Sequence, residues 1–160
     1  MNLRIISGGQ TGVDRAALDF AILADIEHGG YCPKGRKSED GTIPDRYLLT
    51  EVSSASYPVR TKRNILASDA TVVFVGPKFS KGTQLTIRLC RENQKFHIEI
   101  QPGDEDARII QLFQQLHDRG ATIINVAGPR LSSWQQGPPF VLQTLPVLLQ
   151  VYRGAAAVTT

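Results

Sequence analysis

LRIISGGQTGVDRAALDFAI, residues 3–22, decides the fold. An apolar run ends at Ser7, and Gly8, Gly9 and Gly12 follow almost at once. Beyond them Val13, Ala17, Phe20, Ala21 and Ala24 recur at helical spacing, with small side chains that let a helix lie close on a sheet. The order is strand, glycine turn, helix. No G-K-[ST] closes the loop and no G-x-G-x-x-G lies within it, so neither the nucleoside-triphosphate loop nor the dinucleotide fingerprint is present.

The same alternation continues along the chain. TVVFV (71–75), FHIEI (96–100) and ATIINVAG (121–128) read as strands, the alternating FHIEI as a half-exposed edge. Weaker strand signals lie around Gly30–Cys32 and Leu48–Ser53. Helical periods cover Pro58–Ser68, Thr83–Asn93 and Asp104–Arg119, the last with an apolar stripe of Ile109, Ile110, Phe113 and Leu116. The segment 138–153 is helical in period but holds Pro146, which predicts a kink or break. GAAAVTT (154–160) reads as a loose tail. Alternating strands and helices imply an α/β fold with a mostly parallel sheet and helices on both faces. Such sheets bind ligands beyond the carboxyl ends of their strands, where strand order reverses.

Composition bounds the rest. The chain has 160 residues, 41% of them hydrophobic, with a net charge of +3 and only two cysteines. That fits a single folded domain spanning 1–160, and excludes a disulfide framework or a zinc site built on cysteine pairs. No run of about 18 apolar residues occurs, so no membrane is expected as partner, and the opening lacks the layout of a signal peptide. A cytoplasmic location is the expectation. The mild positive charge comes without a basic run or aromatic interleaving, which argues against nucleic acid and for a small anionic ligand.

Three strand-end loops carry the candidate site. In GGQTG, the residues Gly8, Gly9, Gln10, Thr11 and Gly12 predict backbone N–H groups pointing at an anion, with the positive end of a helix behind them. Thr11 and Asp14 have the spacing of a capping box, which would start the helix at Thr11 or Gly12. The helix dipole favours an anion there by about 0.3–1 kcal/mol. Gly82 and Thr83, in FSKGTQLT, open a second helix on the same sheet edge. Gly128 and Arg130, in NVAGPR, end the last strand. Arg60 and Asn64 share one helix face, and a guanidinium fork suits a phosphate. The segment 30–47 is too long for an ordinary connection, and its Lys34, Arg36, Glu39 and Asp40 have no evident structural duty, so a ligand-covering lid and a mobile excursion both stand open. No nucleophile elbow, HExxH motif or metal-ligand spacing is found, so no catalytic or metal-ligating residue is assigned.

Taken together, SGGQTGVDRAALDFAI, GYCPKGRKSEDGTIPDRYLLTE, YPVRTKRNILASDATVVF, KGTQLT and NVAGPR resemble the putative molybdenum carrier family, from the first strand to about Arg130. The wider group includes molybdenum-cofactor carriers and the LOG enzymes once labelled lysine decarboxylases. The resemblance implies a Rossmann-like three-layer sandwich, a phosphate-bearing ligand such as molybdenum cofactor (molybdopterin) or a nucleotide derivative, and a homo-oligomer, dimeric or larger. LOG-type enzymes carry a glutamate shortly after their P-G-G-x-G-T loop. Here Thr86 and Ile87 stand in that place, so a carrier or binding protein is expected ahead of a phosphoribohydrolase.

Overall fold

A computed structural model describes residues 2–157. Five parallel strands form the central sheet: β1 (Arg4–Ile6), β2 (Glu27–Gly29), β7 (Ala70–Phe74), β8 (Phe96–Ile100) and β9 (Ile123–Ala127). Their spatial order is β2-β1-β9-β7-β8, with Ile5 opposite both His28 and Ile124, and Val72 opposite both Ile98 and Val126. The unbroken burial of β7 follows from its place inside the sheet, where both of its faces are covered. FHIEI lies at an edge, as its alternation predicts.

Helices cover both faces. On one, α1 (Val13–Leu23), α4 (Asp106–Asp118) and α5 (Gly137–Ala157) pack together, and on the other α2 (Tyr57–Ala67) lies against α3 (Lys81–Glu92). The main core joins Val13, Ala17 and Phe20 of α1 to Phe113 and Leu116 of α4 and to Val141, Leu145 and Leu148 of α5. This is the expected α/β sandwich. Small side chains at Ala16, Ala17 and Ala21 allow α1 its close approach to the sheet and α5.

Three details differ from the sequence reading. Ile110 faces solvent, because the buried stripe of α4 is Ile109, Phe113 and Leu116. α5 runs unbroken through Pro146. The carbonyl that loses its hydrogen-bond partner belongs to Leu142, which is exposed, while Leu145 and Leu148 are wholly buried and hold the helix on the core. The expected loose tail is helical as far as Ala157, and residues 158–160 lie outside the described residues.

The long segment after β2 is a packed strap. It pairs β3 (Tyr31–Cys32) with β6 (Thr50–Glu51) and folds a hairpin from β4 (Lys37–Ser38) and β5 (Gly41–Thr42). Cys32, Ile43 and Tyr47 are buried against Leu18 of α1. The chain between Gly30 and Val52 therefore contributes a small core of its own and does not behave as a surface excursion.

Candidate ligand-binding cleft at the sheet edge

The connection after β1 leads outward through α1 to β2, and the connection after β7 leads the other way through α3 to β8. Between them, above the end of β9, the strand order reverses. A cavity of about 410 Å³ lies there, with walls drawn from all three strand ends. Of the residues expected from sequence, Gly8, Gln10, Asp14, Arg60, Asn64, Gly82, Gly128 and Arg130 line it.

Arg60 and Asp14 form the wall at the β1 end. Both side chains are more than nine-tenths buried, and Arg60 Nη1 donates to Asp14 Oδ2 at 3.1 Å. The guanidinium lies directly over the backbone of Gly8: a Cβ there would overlap Nη1 and stand 2.6 Å from Cζ. Gly8 thus serves close approach of a side chain to backbone. Burial pushes the Asp14 carboxyl above its ordinary value, while Arg60 and the Gln10 N–H pull it back. Asn64 receives the Tyr31 N–H on Oδ1 at 2.8 Å and donates to the Tyr31 carbonyl at 2.9 Å. It clamps the strap to the end of the sheet by imitating a neighbouring strand.

The first glycine loop differs from its expected form. The Gln10 N–H is taken by Asp14 Oδ2 (3.2 Å), the Thr11 N–H by Gln10 Oε1 (3.0 Å) and the Val13 N–H by the Pro129 carbonyl (3.3 Å). A Cβ at Gly12 would stand 2.6 Å from Leu131 N and 2.7 Å from the Pro129 carbonyl, so the loop after β9 lies directly upon it. A Cβ at Gly9 would meet Leu49 and Ile43 of the strap. Neither Gly9, Thr11 nor Gly12 lines the cavity. The capping box does not form either: Gly12 is the N-cap, no side chain caps the helix, and the Thr11 hydroxyl donates instead to Glu39. The positive end of α1 is met by the chain's own carboxylates.

The strap side chains have partners of their own. Glu39 accepts from Thr11 Oγ1 and from Ser132 N and Oγ, at 3.1 and 2.5 Å for Ser132, and faces Arg130 at 3.5 Å. Burial alone would raise its carboxyl, but the Ser132 and Thr11 hydrogen bonds outweigh that and hold it below the ordinary value. Asp40 pairs with Arg15 at 2.6 Å, which holds its carboxyl well below the carboxylate range. Arg36 donates to the carbonyls of Ile43, Pro44 and Tyr47 at 2.8–3.0 Å. Lys34 is exposed. None of these four lines the cavity, and Cys32 is sealed between the strap and Leu18 of α1.

At the β7 end the cavity meets the first turn of α3. Ser80 is the N-cap, its Oγ accepting the Thr83 N–H at 3.1 Å. The N–H groups of the first turn have no partner within a helix. A Cβ at Gly82 would meet nothing within 4 Å, so this turn is open where the turn of α1 is closed. Lys81 lines the cavity, and no acidic side chain stands in the first turn. Thr83, expected as a contact, is buried in the helix behind the cap. Sequence reading put the start of α3 at Thr83 and so missed Ser80, although S-x-x-T spacing was there to be used. Tyr57, Asn125 and Ser133 also line the cavity, and none of the three was singled out from the sequence.

Among the described residues no three His, Cys, Asp or Glu side chains are grouped to hold a metal ion, and no helix is long and apolar enough to cross a membrane.

Comparison with known proteins agrees with this architecture. A putative molybdenum carrier protein from Syntrophus aciditrophicus SB, solved by crystallography, is 33% identical, with a TM-score of 0.82 over 94% of this chain and 95% of its own. No protein of curated function matches. The model of the circularly permutated YpsA SLOG family matches residues 5–147, which takes in the cleft and every element around it. The chain belongs to that family, and the molybdenum carrier resemblance of its motifs is part of the same relationship.

Proposed function

We propose that the protein binds a small phosphate-bearing ligand, molybdenum cofactor or a nucleotide derivative, in the cleft above β9. One observation carries this reading. The cavity at the switch point joins an open helix N-terminus and Lys81 at one end to the buried Asp14–Arg60 pair at the other. A phosphate is favoured at the α3 end by the Lys81 and Gly82 amides, which the Ser80 cap does not take, with the helix dipole and the Lys81 side chain. It is disfavoured at the Asp14 end, where the charge of Arg60 is already matched. The name of the related crystal structure, a molybdenum carrier, makes the cofactor a natural candidate. The α3 turn suits the phosphate of such a cofactor, whose own sulfurs hold the metal, so the absence of a protein ligand cluster is no obstacle.

Asp14 is the one carboxylate among the described lining residues. Glycosidic hydrolysis ordinarily uses two carboxylates flanking the bond, so binding is favoured over a phosphoribohydrolase.

The expected result is a rise in melting temperature with a nucleoside monophosphate or with molybdopterin. A ligand at about a hundredfold over its dissociation constant adds about 2.7 kcal/mol, or about 5–10 °C for a chain of this size. Lys81→Glu, on the exposed rim, should remove most of that shift without lowering the melting temperature of the free protein. No shift with any phosphate-bearing compound would refute the reading.

A further inference from the structure

Below its rim the cavity is walled by Thr61 and Asn64 of α2 and by Leu85 and Thr86 of α3, with Asn125 of β9 at the sheet beneath. Asn125 stands two residues before the end of its strand, so it lies about 7 Å below the strand ends. It is only 3% exposed. Asparagine suits a strand poorly, and its neighbours in β9 are aliphatic, so its presence on this buried face needs a reason. Its Nδ2 donates to Thr71 Oγ1 at 3.2 Å. Its Oδ1 takes no hydrogen bond from any described residue, yet it keeps accessible surface. An amide offers two protons and two acceptor positions, and Thr71 uses one of the four.

The polar groups around it are already engaged. Asn64 spends both ends of its amide on Tyr31. The Thr61 hydroxyl donates to the Tyr57 carbonyl and the Thr86 hydroxyl to the Gly82 carbonyl, both at 3.0 Å. A buried amide left this open is costly unless something completes it. A charged group at this depth would be desolvated without a counter-charge, because the Arg60 charge is matched by Asp14. A hydrocarbon group would leave Oδ1 unpaired. A neutral ring edge with an N–H beside an acceptor atom meets the amide at both ends, as base edges do with asparagine.

We propose that Asn125 sets the specificity of the cleft: a planar heterocycle enters between α2 and α3, and its edge pairs with the Asn125 amide. This rests on the binding reading above. It goes beyond it by naming the residue that reads the ring and the neutral donor–acceptor edge that this residue selects.

Calorimetric titration with inosine monophosphate and purine riboside 5′-monophosphate tests it, since the two differ only in the lactam N–H and carbonyl of the ring. The wild-type protein is expected to bind the inosine ester at least about tenfold more tightly, because a site built to hydrogen-bond a group rejects the analogue that lacks it. Asn125→Ala should narrow that ratio to within about twofold by weakening the inosine ester alone. An asparagine that served only Thr71 would behave otherwise: the variant would melt at a lower temperature and keep the wild-type ratio, which overturns the proposal. The wild-type ratio alone decides the matter if the variant folds poorly. Equal binding of the two esters overturns the proposal while leaving phosphate binding intact. Failure of both to bind overturns it as well, and the binding reading falls with it where molybdopterin also gives no thermal shift.

Discussion

Gly30→Ala lowers the melting temperature by about 10 °C or more. Gly30 sits at φ 124°, where side chains are strained, and a Cβ there would overlap the Ser7 carbonyl and stand 2.8 Å from Ser7 N. Both neighbours are backbone of the loop leaving the innermost residues of β1, so neither can give way alone. The strain costs about 1–3 kcal/mol and the overpacking a similar amount. Asn64 Oδ1 would stand 3.1 Å away, so the clamp on Tyr31 is pushed as well. Gly82→Ala is the control: it has an ordinary φ and open space, and it should leave stability unchanged or raise it slightly. Thermal unfolding followed by circular dichroism checks both. A shift below 3 °C for Gly30→Ala would contradict the packing described.

The second large effect is on the cleft. Gly8→Ala displaces the Arg60 guanidinium, because the new methyl would stand 2.6 Å from Cζ and 2.7 Å from Cδ. Asp14 is then left buried without its counter-charge, a loss of about 3–5 kcal/mol when one member of such a pair is removed. The ligand-induced rise in melting temperature should vanish with it. The loss depends on pH with a definite sign. Asp14 has its carboxyl raised above the ordinary value, so the folded state holds its proton more tightly than the unfolded chain. The Asp14 contribution to stability in the variant is therefore greatest at low pH and is lost as pH rises through the raised value. Adding Asp14→Asn should restore most of the lost stability at neutral pH but none of the binding. Unchanged ligand response in Gly8→Ala would show that Arg60 takes no part in the site.

Much of this was legible in the order of residues, for identifiable reasons. The helical period of Val13, Ala17 and Phe20 and the β-branched, largely apolar run of β7 reflect burial on one face and on two, and both survive in the structure. Arg60 and Asn64 share a face by helix geometry alone, and both line the cleft. Contacts across long separations left no such trace. Thr11 and Asp14 have the spacing of a capping box, yet Thr11 is claimed by Glu39 from the strap and Asp14 by Arg60 from α2. The strap strands are two residues each, too short for any periodicity to appear. Their stability comes from Arg36 on strap carbonyls and from Cys32, Ile43 and Tyr47 packed on Leu18, none of which spacing reveals. The closure of the GGQTG loop was hidden for the same reason: Pro129 and Leu131, which lie on Gly12, come from the far end of the chain.

The central claim is that an anion is gripped by the first turn of α3 across from Arg60, and not by the glycine amides at the start of α1. Titration of nitrogen-15-labelled protein with ribose 5-phosphate, read as amide chemical-shift changes, tests this most directly. The account predicts the largest changes at Lys81 and Gly82, with the Arg60 side-chain signal moving in step. Dominant changes at Gly9 to Gly12, with Lys81 and Gly82 still, would contradict it.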